Sequence, residues 1–301
     1  MDNDEISKIV DTSDEWIIER TGIKQRHIAA DGENTSDLAA KAAKNALENA
    51  NLQADDIDLI IVATTTPDNT FPSTATKVQA DLGISGGAAF DIQAVCTGFV
   101  YALSIADNFI KAGQHKTVMV IGADTLTRLV DWEDRGTCVL FGDGAGALIL
   151  KAEEGDRGIL SHNIHSDGTT RELLYVDGGP SATGTVGKLR MLGKEVFKHA
   201  VTKLAKCTEE SLKQAGVAKE DVTWVIPHQA NLRILEGTIK KLKVPEEKLI
   251  STVDIHANTS AASIPLAIDV ATKDGRIKQG DIVSLQAIGG GLTWGACLIK
   301  W

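Results

Sequence analysis

The chain repeats itself, and no other feature limits its fold so strongly. ENANLQADDIDLII, from Glu48, lies in register with KQAGVAKEDVTWVI, from Lys213. The shift of 165 positions carries Ala50 to Ala215, Asp56 to Asp221 and Ile61 to Ile226, then Ala102 to Ala267 and Ala106 to Ala271. FGDGAGALILK, from Phe141, is echoed by IGGGLTWGACLIK, from Ile288. Three matches in the same order indicate a duplicated unit. Each unit reads as helix then strand, the alternation of an α/β fold. Asp37 to Ala50 predicts an amphipathic helix with Ser36 as N-cap. Leu59 to Thr65 and Thr117 to Asp124 predict strands buried on both faces, and a helix closes at Phe109 to Gly113. The second half adds strands at TWVIP and LISTVDI. The division falls at residues 1–156 and 157–301, with the turn-rich GGPSATGTVG in the connection. No long linker separates the halves, so they are expected to pack face to face and share one site.

The formal net charge of −10 disfavours a nucleic-acid partner, since phosphates meet repulsion over most of the surface. No apolar run reaches the roughly 18 residues of a membrane span, and MDNDEISK does not read as a secretory leader. Cys96, Cys138, Cys207 and Cys297 are scattered without a C-x-x-C pair. That excludes a disulfide framework or zinc site as the organising feature and fits a reducing cytoplasm. GDGAG, from Gly142, superficially resembles a dinucleotide loop, but a strand-like ALILKA follows where such a loop opens a helix. A tight turn between strands is the expectation there. Gly289 to Gly291 meet the same objection, although they can expose N–H groups to a reacting oxygen.

Three residues carry the candidate chemistry. Cys96 ends AAFDIQAV and opens a helix-like run; a helix N-terminus lowers a thiol's pKa. A free cysteine is more often a small buried hydrophobe, and the other three cysteines take that reading. His228 leaves the strand TWVIP at its C-terminal end, where open α/β sheets gather ligands; a turn histidine bonded to backbone is the alternative. Asn258 lies in IHANTSAASIP after LISTVDI, with Thr259 or Ser260 able to cap the next helix. The repeat carries Cys96 onto Ala261, beside Asn258. A pseudo-dyad would therefore bring the cysteine and asparagine turns together.

VDTSDEWIIERTGI, AVCTGF at Cys96, DRGT, FGDGAGA, GKEVFKHAV, IPHQANLRIL at His228, ANTSAASIP at Asn258 and GGGLTWGA run almost from end to end. With them the chain resembles the β-ketoacyl-acyl carrier protein synthase III family, condensing enzymes of the thiolase fold that initiate bacterial fatty-acid synthesis. The resemblance implies two α/β halves in layers α-β-α-β-α. It also implies acetyl-CoA or another short acyl-CoA and malonyl-acyl carrier protein as substrates, joined with loss of carbon dioxide, and no metal or organic cofactor. Cys96 would take the acyl group; the N–H groups of Cys96 and Gly290 would hold the oxyanion; His228 and Asn258 would stabilise the malonyl-derived enolate. Trp16 and Arg135 would stack on the CoA adenine, joined by Arg20, while Gly193 and Asn231 would line the pantetheine tunnel. Phe71 would reach the partner's acyl pocket in a homodimer. Lys198, Arg233, Lys240 and Lys241 would form a basic dock for the acidic carrier protein.

Synthases of this kind carry a further strand before DNDEI, matched in the second half by GILSHNIHSD. The first half is thus expected to lack its opening strand, as in a truncated start. Ile288 and Leu292 replace aromatic residues common in relatives, and Ala257 a common glycine. Two other readings share the residues: the same trio acting on another acyl-CoA starter, and a non-catalytic carrier-binding scaffold. A thiolase would need a second catalytic cysteine near the C-terminus, where Cys297 sits in a strand-like run.

Overall fold

The computed structural model describes all 301 residues. Ten helices, in chain order, are α1 (Asn3–Ser7), α2 (Asp14–Thr21), α3 (Thr35–Ala50), α4 (Thr74–Asp81), α5 (Gly98–Lys111), α6 (Arg135–Cys138), α7 (Gly193–Ala215), α8 (Leu232–Leu242), α9 (Val253–His256) and α10 (Ser263–Lys273). The strands are β1 (Leu59–Ala63), β2 (Ala88–Ile92), β3 (Thr117–Thr125), β4 (Asp143–Lys151), β5 (Gly158–Ser166), β6 (Leu174–Val176), β7 (Leu189–Met191), β8 (Trp224–Pro227), β9 (Ile282–Gly289) and β10 (Thr293–Lys300). One sheet runs β2-β1-β3-β4 and the other β5-β10-β9-β8; β6 and β7 form a separate pair.

The repeat seen in the residues is the repeat of the fold. β1, α5 and β3 begin at residues 59, 98 and 117; β8, α10 and β9 begin at 224, 263 and 282. Between the sheets lie α5 and α10, apolar around most of their surface as a sandwiched helix must be. Phe99, Leu103, Ile264 and Ile268 join Ile61, Val120, Ile226 and Leu285 in one core that spans both halves. α3 and α4 cover the outer face of the first sheet, and α7 and α8 that of the second. The result is the five-layered α-β-α-β-α arrangement. No helix is long and apolar enough to cross a membrane.

Three local expectations fail for physical reasons. α3 starts at Thr35, because Ser36 commits its hydroxyl and its N–H to Asp68, while Asp37 Oδ2 takes the Asn34 N–H at 2.7 Å. LISTVDI makes only a single bridge, Leu249 to Val225. Gln229 takes over the sheet's role there: its Oε1 accepts from Thr252 N–H (2.8 Å) and its Nε2 donates to Ile250 O (3.3 Å). GDGAG is no turn, since Gly144 and Gly146 lie within β4. They let α10 approach the backbone: a Cβ on Gly146 would stand 2.8 Å from Pro265 Cβ.

Candidate active site

Cys96 lies in a 3-10 turn, Val95–Thr97, that runs directly into α5. Its duplicate is the turn Ser260–Ala262, which runs into α10. Both turns open on a left-handed residue, Val95 at φ +50° and Ser260 at φ +52°. Such values are costly for any residue but glycine, so each turn is held by its surroundings. The pseudo-dyad does bring them together: a Cβ on Gly98 would stand 3.5 Å from Ala261 Cβ. Thr259 and Ser260 do not cap α10. The intervening turn gives its Ser260 N–H to Asn258 Oδ1, its Ala261 N–H to Asp124 Oδ2 and its Ala262 N–H to Thr259 O, and both hydroxyls stay buried without a partner.

The thiol of Cys96 is 3% exposed. Burial pushes it up to about 12, Asp124 nearby adds to the rise, and the Ser260 hydroxyl opposes it. The expected lowering by a helix N-terminus is therefore outweighed by desolvation. The backbone N–H of Cys96 has no acceptor in the protein, and neither has that of Gly290. Gly289, one residue earlier, presses so closely that a Cβ there would meet Cys96 N at 2.8 Å. Cys138, Cys207 and Cys297 are buried free thiols, as their patterns imply.

His228 follows β8 immediately, and its own N–H donates to Gln286 O on β9 at 2.7 Å. Its Nδ1 lies 2.7 Å from Ser263 Oγ. Ser263 Oγ also accepts the Gln229 N–H (3.3 Å) and finds no other acceptor for its own proton, so the hydrogen-bond network assigns that proton to Nδ1 and the imidazole hydrogen to Nε2. Burial lowers the His228 pKa to about 3, so the ring is a neutral donor. Asn258 is 6% exposed; its backbone bridges Phe141, and its Oδ1 accepts the Ser260 N–H at 3.0 Å. That bond fixes the amide and leaves Nδ2 to donate. Before it, Ala257 holds φ +58° and ψ −156°, a region that glycine favours.

The peripheral residues fall into two groups. Arg135 lies 5.0 Å and Arg20 5.6 Å from the Trp16 ring centre. Trp16 and Arg135 thus cover one another, and an inserted base would have to part them. Gly193 opens α7, and Asn231 caps α8 through Oδ1 to Ile234 N–H (3.1 Å). Lys198, Arg233, Lys240 and Lys241 are exposed on α7 and α8, which close on one another where Gly237 faces Val201. Arg233 pairs loosely with Glu19 (3.8 Å) and Lys198 with Glu195 (2.7 Å). Phe71 is 83% exposed, which removes a core role within this chain. Ile288 and Leu292 pack with Ala200, Leu204 and Ile234 beneath α7 and α8. A surface cavity of about 500 Å³ contains none of the trio; it is lined by His165, Lys198, Lys203, Glu210 and Trp294 among others. Sequence reasoning missed Ser263 and Asp124 and gave Ser260 only a capping role; Ser263 Oγ meets His228 Nδ1, Ser260 N–H holds Asn258 Oδ1, and Asp124 accepts the neighbouring Ala261 N–H.

The family model described as 3-oxoacyl-[acyl-carrier-protein (ACP)] synthase III matches residues 90–168, and the model of its C-terminal part matches 212–301. A beta-ketoacyl-[acyl-carrier-protein] synthase III of Rhodospirillum centenum is 64% identical over 99% of this chain and 94% of its own length. The chain belongs to the synthase III family. The enzyme of that name from Caulobacter vibrioides is 62% identical, with the same coverage of 99% and 94%. Crystal structures agree: the synthase III of Aquifex aeolicus superposes with TM-score 0.96 at 50% identity, over 100% of this chain and 95% of that one. That of Thermus thermophilus gives TM-score 0.95 at 43% identity, again over 100% and 95%. Like other synthases III, the chain is a condensing acyltransferase with the thiolase fold, of the kind that initiates fatty-acid synthesis.

Proposed function

We propose that the chain joins a short acyl group, acetyl from acetyl-CoA first, to malonyl-acyl carrier protein with release of carbon dioxide. One observation carries this reading: two unpartnered backbone N–H groups beside a buried thiol, and two neutral side-chain donors fixed by Ser263 and Ser260. Cys96 sulfur attacks the acyl carbonyl, and the thiol proton leaves with the CoA sulfur. The N–H groups of Cys96 and Gly290 receive the oxyanion. The malonyl thioester oxygen then sits between His228 Nε2–H and Asn258 Nδ2. Loss of carbon dioxide builds an enolate there, its carbon attacks the Cys96 thioester carbonyl, the carbon–sulfur bond breaks, and the expelled Cys96 thiolate takes a proton from solvent. Decarboxylation needs donors aimed at developing charge and no base, so a histidine kept neutral by burial suits it, and no metal or redox cofactor is required.

Residues 1–156 supply the nucleophile and residues 157–301 the two donors. Trp16, Arg20 and Arg135 form a gate for CoA, which leads past Gly193 and Asn231. Lys198, Arg233, Lys240 and Lys241 receive the carrier protein. The exposed ring of Phe71 favours a homodimer in which it completes the partner's acyl pocket. A cytoplasmic location with no membrane or nucleic-acid partner completes the proposal. The test is mass spectrometry of the carrier protein after incubation with acetyl-CoA and malonyl-carrier protein. The 3-oxobutyryl carrier should form, and Cys96→Ala should abolish it. Product persisting in Cys96→Ala would overturn the reading, and a longer or branched acyl-CoA giving higher kcat/KM would transfer it to another starter.

A further inference from the structure

Asp124, the penultimate residue of β3, is one of the few fully buried charged residues of the molecule, at 0% exposure. Four groups converge on it. Its Oδ1 accepts from Thr65 N–H (2.7 Å), Thr64 Oγ1 (3.2 Å) and Thr66 Oγ1 (3.1 Å), and its Oδ2 accepts from Ala261 N–H (3.2 Å). The last bond is informative because the fold is duplicated. The repeat carries Cys96 onto Ala261 and Asp124 onto Gly289. Over the Cys96 turn, Gly289 leaves the Cys96 N–H without an acceptor. Over the Ala261 turn, the corresponding N–H is filled by the Asp124 carboxylate. One turn is left open for a reacting oxygen; the other is plugged by a carboxylate of the protein itself.

The plugged turn is the one that aims Asn258. Ser260 N–H, next to Ala261, holds Asn258 Oδ1, and Ser260 keeps its left-handed backbone with its hydroxyl buried and short of a full hydrogen bond. We propose that Asp124 is a positioning residue for condensation: its carboxylate locks the Ser260–Ala262 turn through Ala261 N–H, and that turn fixes the Asn258 amide through Ser260 N–H. The inference rests on the condensing role given to Asn258.

The test reads the two half-reactions on one preparation. Asp124→Asn turns an amide N–H against donors that the carboxylate accepts, so the Ser260–Ala262 turn loses its lock. Condensation kcat should fall at least tenfold, while Cys96 acetylation from acetyl-CoA, read by rapid-quench peptide mass spectrometry, keeps its wild-type rate and KM for acyl-CoA is unchanged. Thr64→Val removes one donor to Asp124 Oδ1 and should lower kcat in the same step by less. An unaltered kcat in a folded Asp124→Asn, or acetylation slowed as much as condensation, would overturn the proposal. Should Asp124→Asn fail to fold by circular dichroism, the same comparison in Thr64→Val decides alone. A wild-type chain that acetylates Cys96 and never condenses would remove the proposed function instead.

Discussion

Replacing Gly122 by alanine tests how the Asn258 turn is supported. Gly122 lies midway along β3, and a Cβ there would stand 2.1 Å from the Ala261 carbonyl oxygen and 2.7 Å from its carbonyl carbon. Ordinary contact begins at 3.4 Å, so strand or turn must move by the difference, about 1.3 Å. β3 is hydrogen-bonded to β1 on one side and β4 on the other, which leaves the turn to yield. Overpacking of this kind costs about 1–3 kcal/mol, so the variant should fold with a lowered Tm. The larger effect is catalytic. Asn258 hangs on Ser260, and a misplacement of about 1 Å can cost roughly 10²-fold in rate. Gly122→Ala should therefore reduce condensation kcat about 100-fold while slowing Cys96 acetylation much less. Rapid-quench acetylation and steady-state condensation, measured on the same preparation, separate the two steps. A folded Gly122→Ala protein with wild-type kcat would refute the claim that this turn sets Asn258.

Ser263→Ala removes the proton that sets the His228 tautomer; condensation should fall about tenfold, the value of one hydrogen bond, with Cys96 acetylation unchanged. The stability-pH profile follows from two buried groups. The folded pKa of His228, about 3, lies below its unfolded value, so the unfolded chain binds the proton first and stability falls as pH drops from about 6.5. Asp124, raised to about 6, acts oppositely: the folded chain holds its proton, and stability grows as pH falls from about 6 towards 3.8. Asp124→Asn removes that compensation and should steepen the loss of Tm below pH 6; parallel Tm-pH curves for variant and wild type would contradict this. Arg135→Ala should raise KM for acyl-CoA several-fold through the loss of stacking worth about 0.5–1 kcal/mol at an exposed site, with kcat preserved.

The periodicity of the chain carried most of the fold. A shift of one constant spacing placed β8, α10 and β9 at their observed starts, because a duplicated layer keeps its helix and strand lengths. The candidate trio was read from the ends of strands and helices together with the motifs around Cys96, His228 and Asn258, and the structure places those residues in the turn before α5, directly after β8 and shortly after α9. What supports the trio was not. Nothing in the letters Val95 and Ser260 announces a left-handed backbone, since tertiary contacts impose it. Asp124 reads as the polar end of a strand until the second half folds against it. LISTVDI has the composition of a strand, yet Gln229, distant in sequence, captures its backbone. The thiol pKa was misjudged because a local dipole is visible in sequence and burial is not.

The most direct measurement is the intact mass of the protein after exposure to acetyl-CoA alone, with the added group mapped by peptide mass spectrometry. The account predicts one acetyl group, on Cys96, retained in His228→Ala and Asn258→Ala and absent in Cys96→Ala. Acetylation at another residue, or persisting in Cys96→Ala, would contradict it.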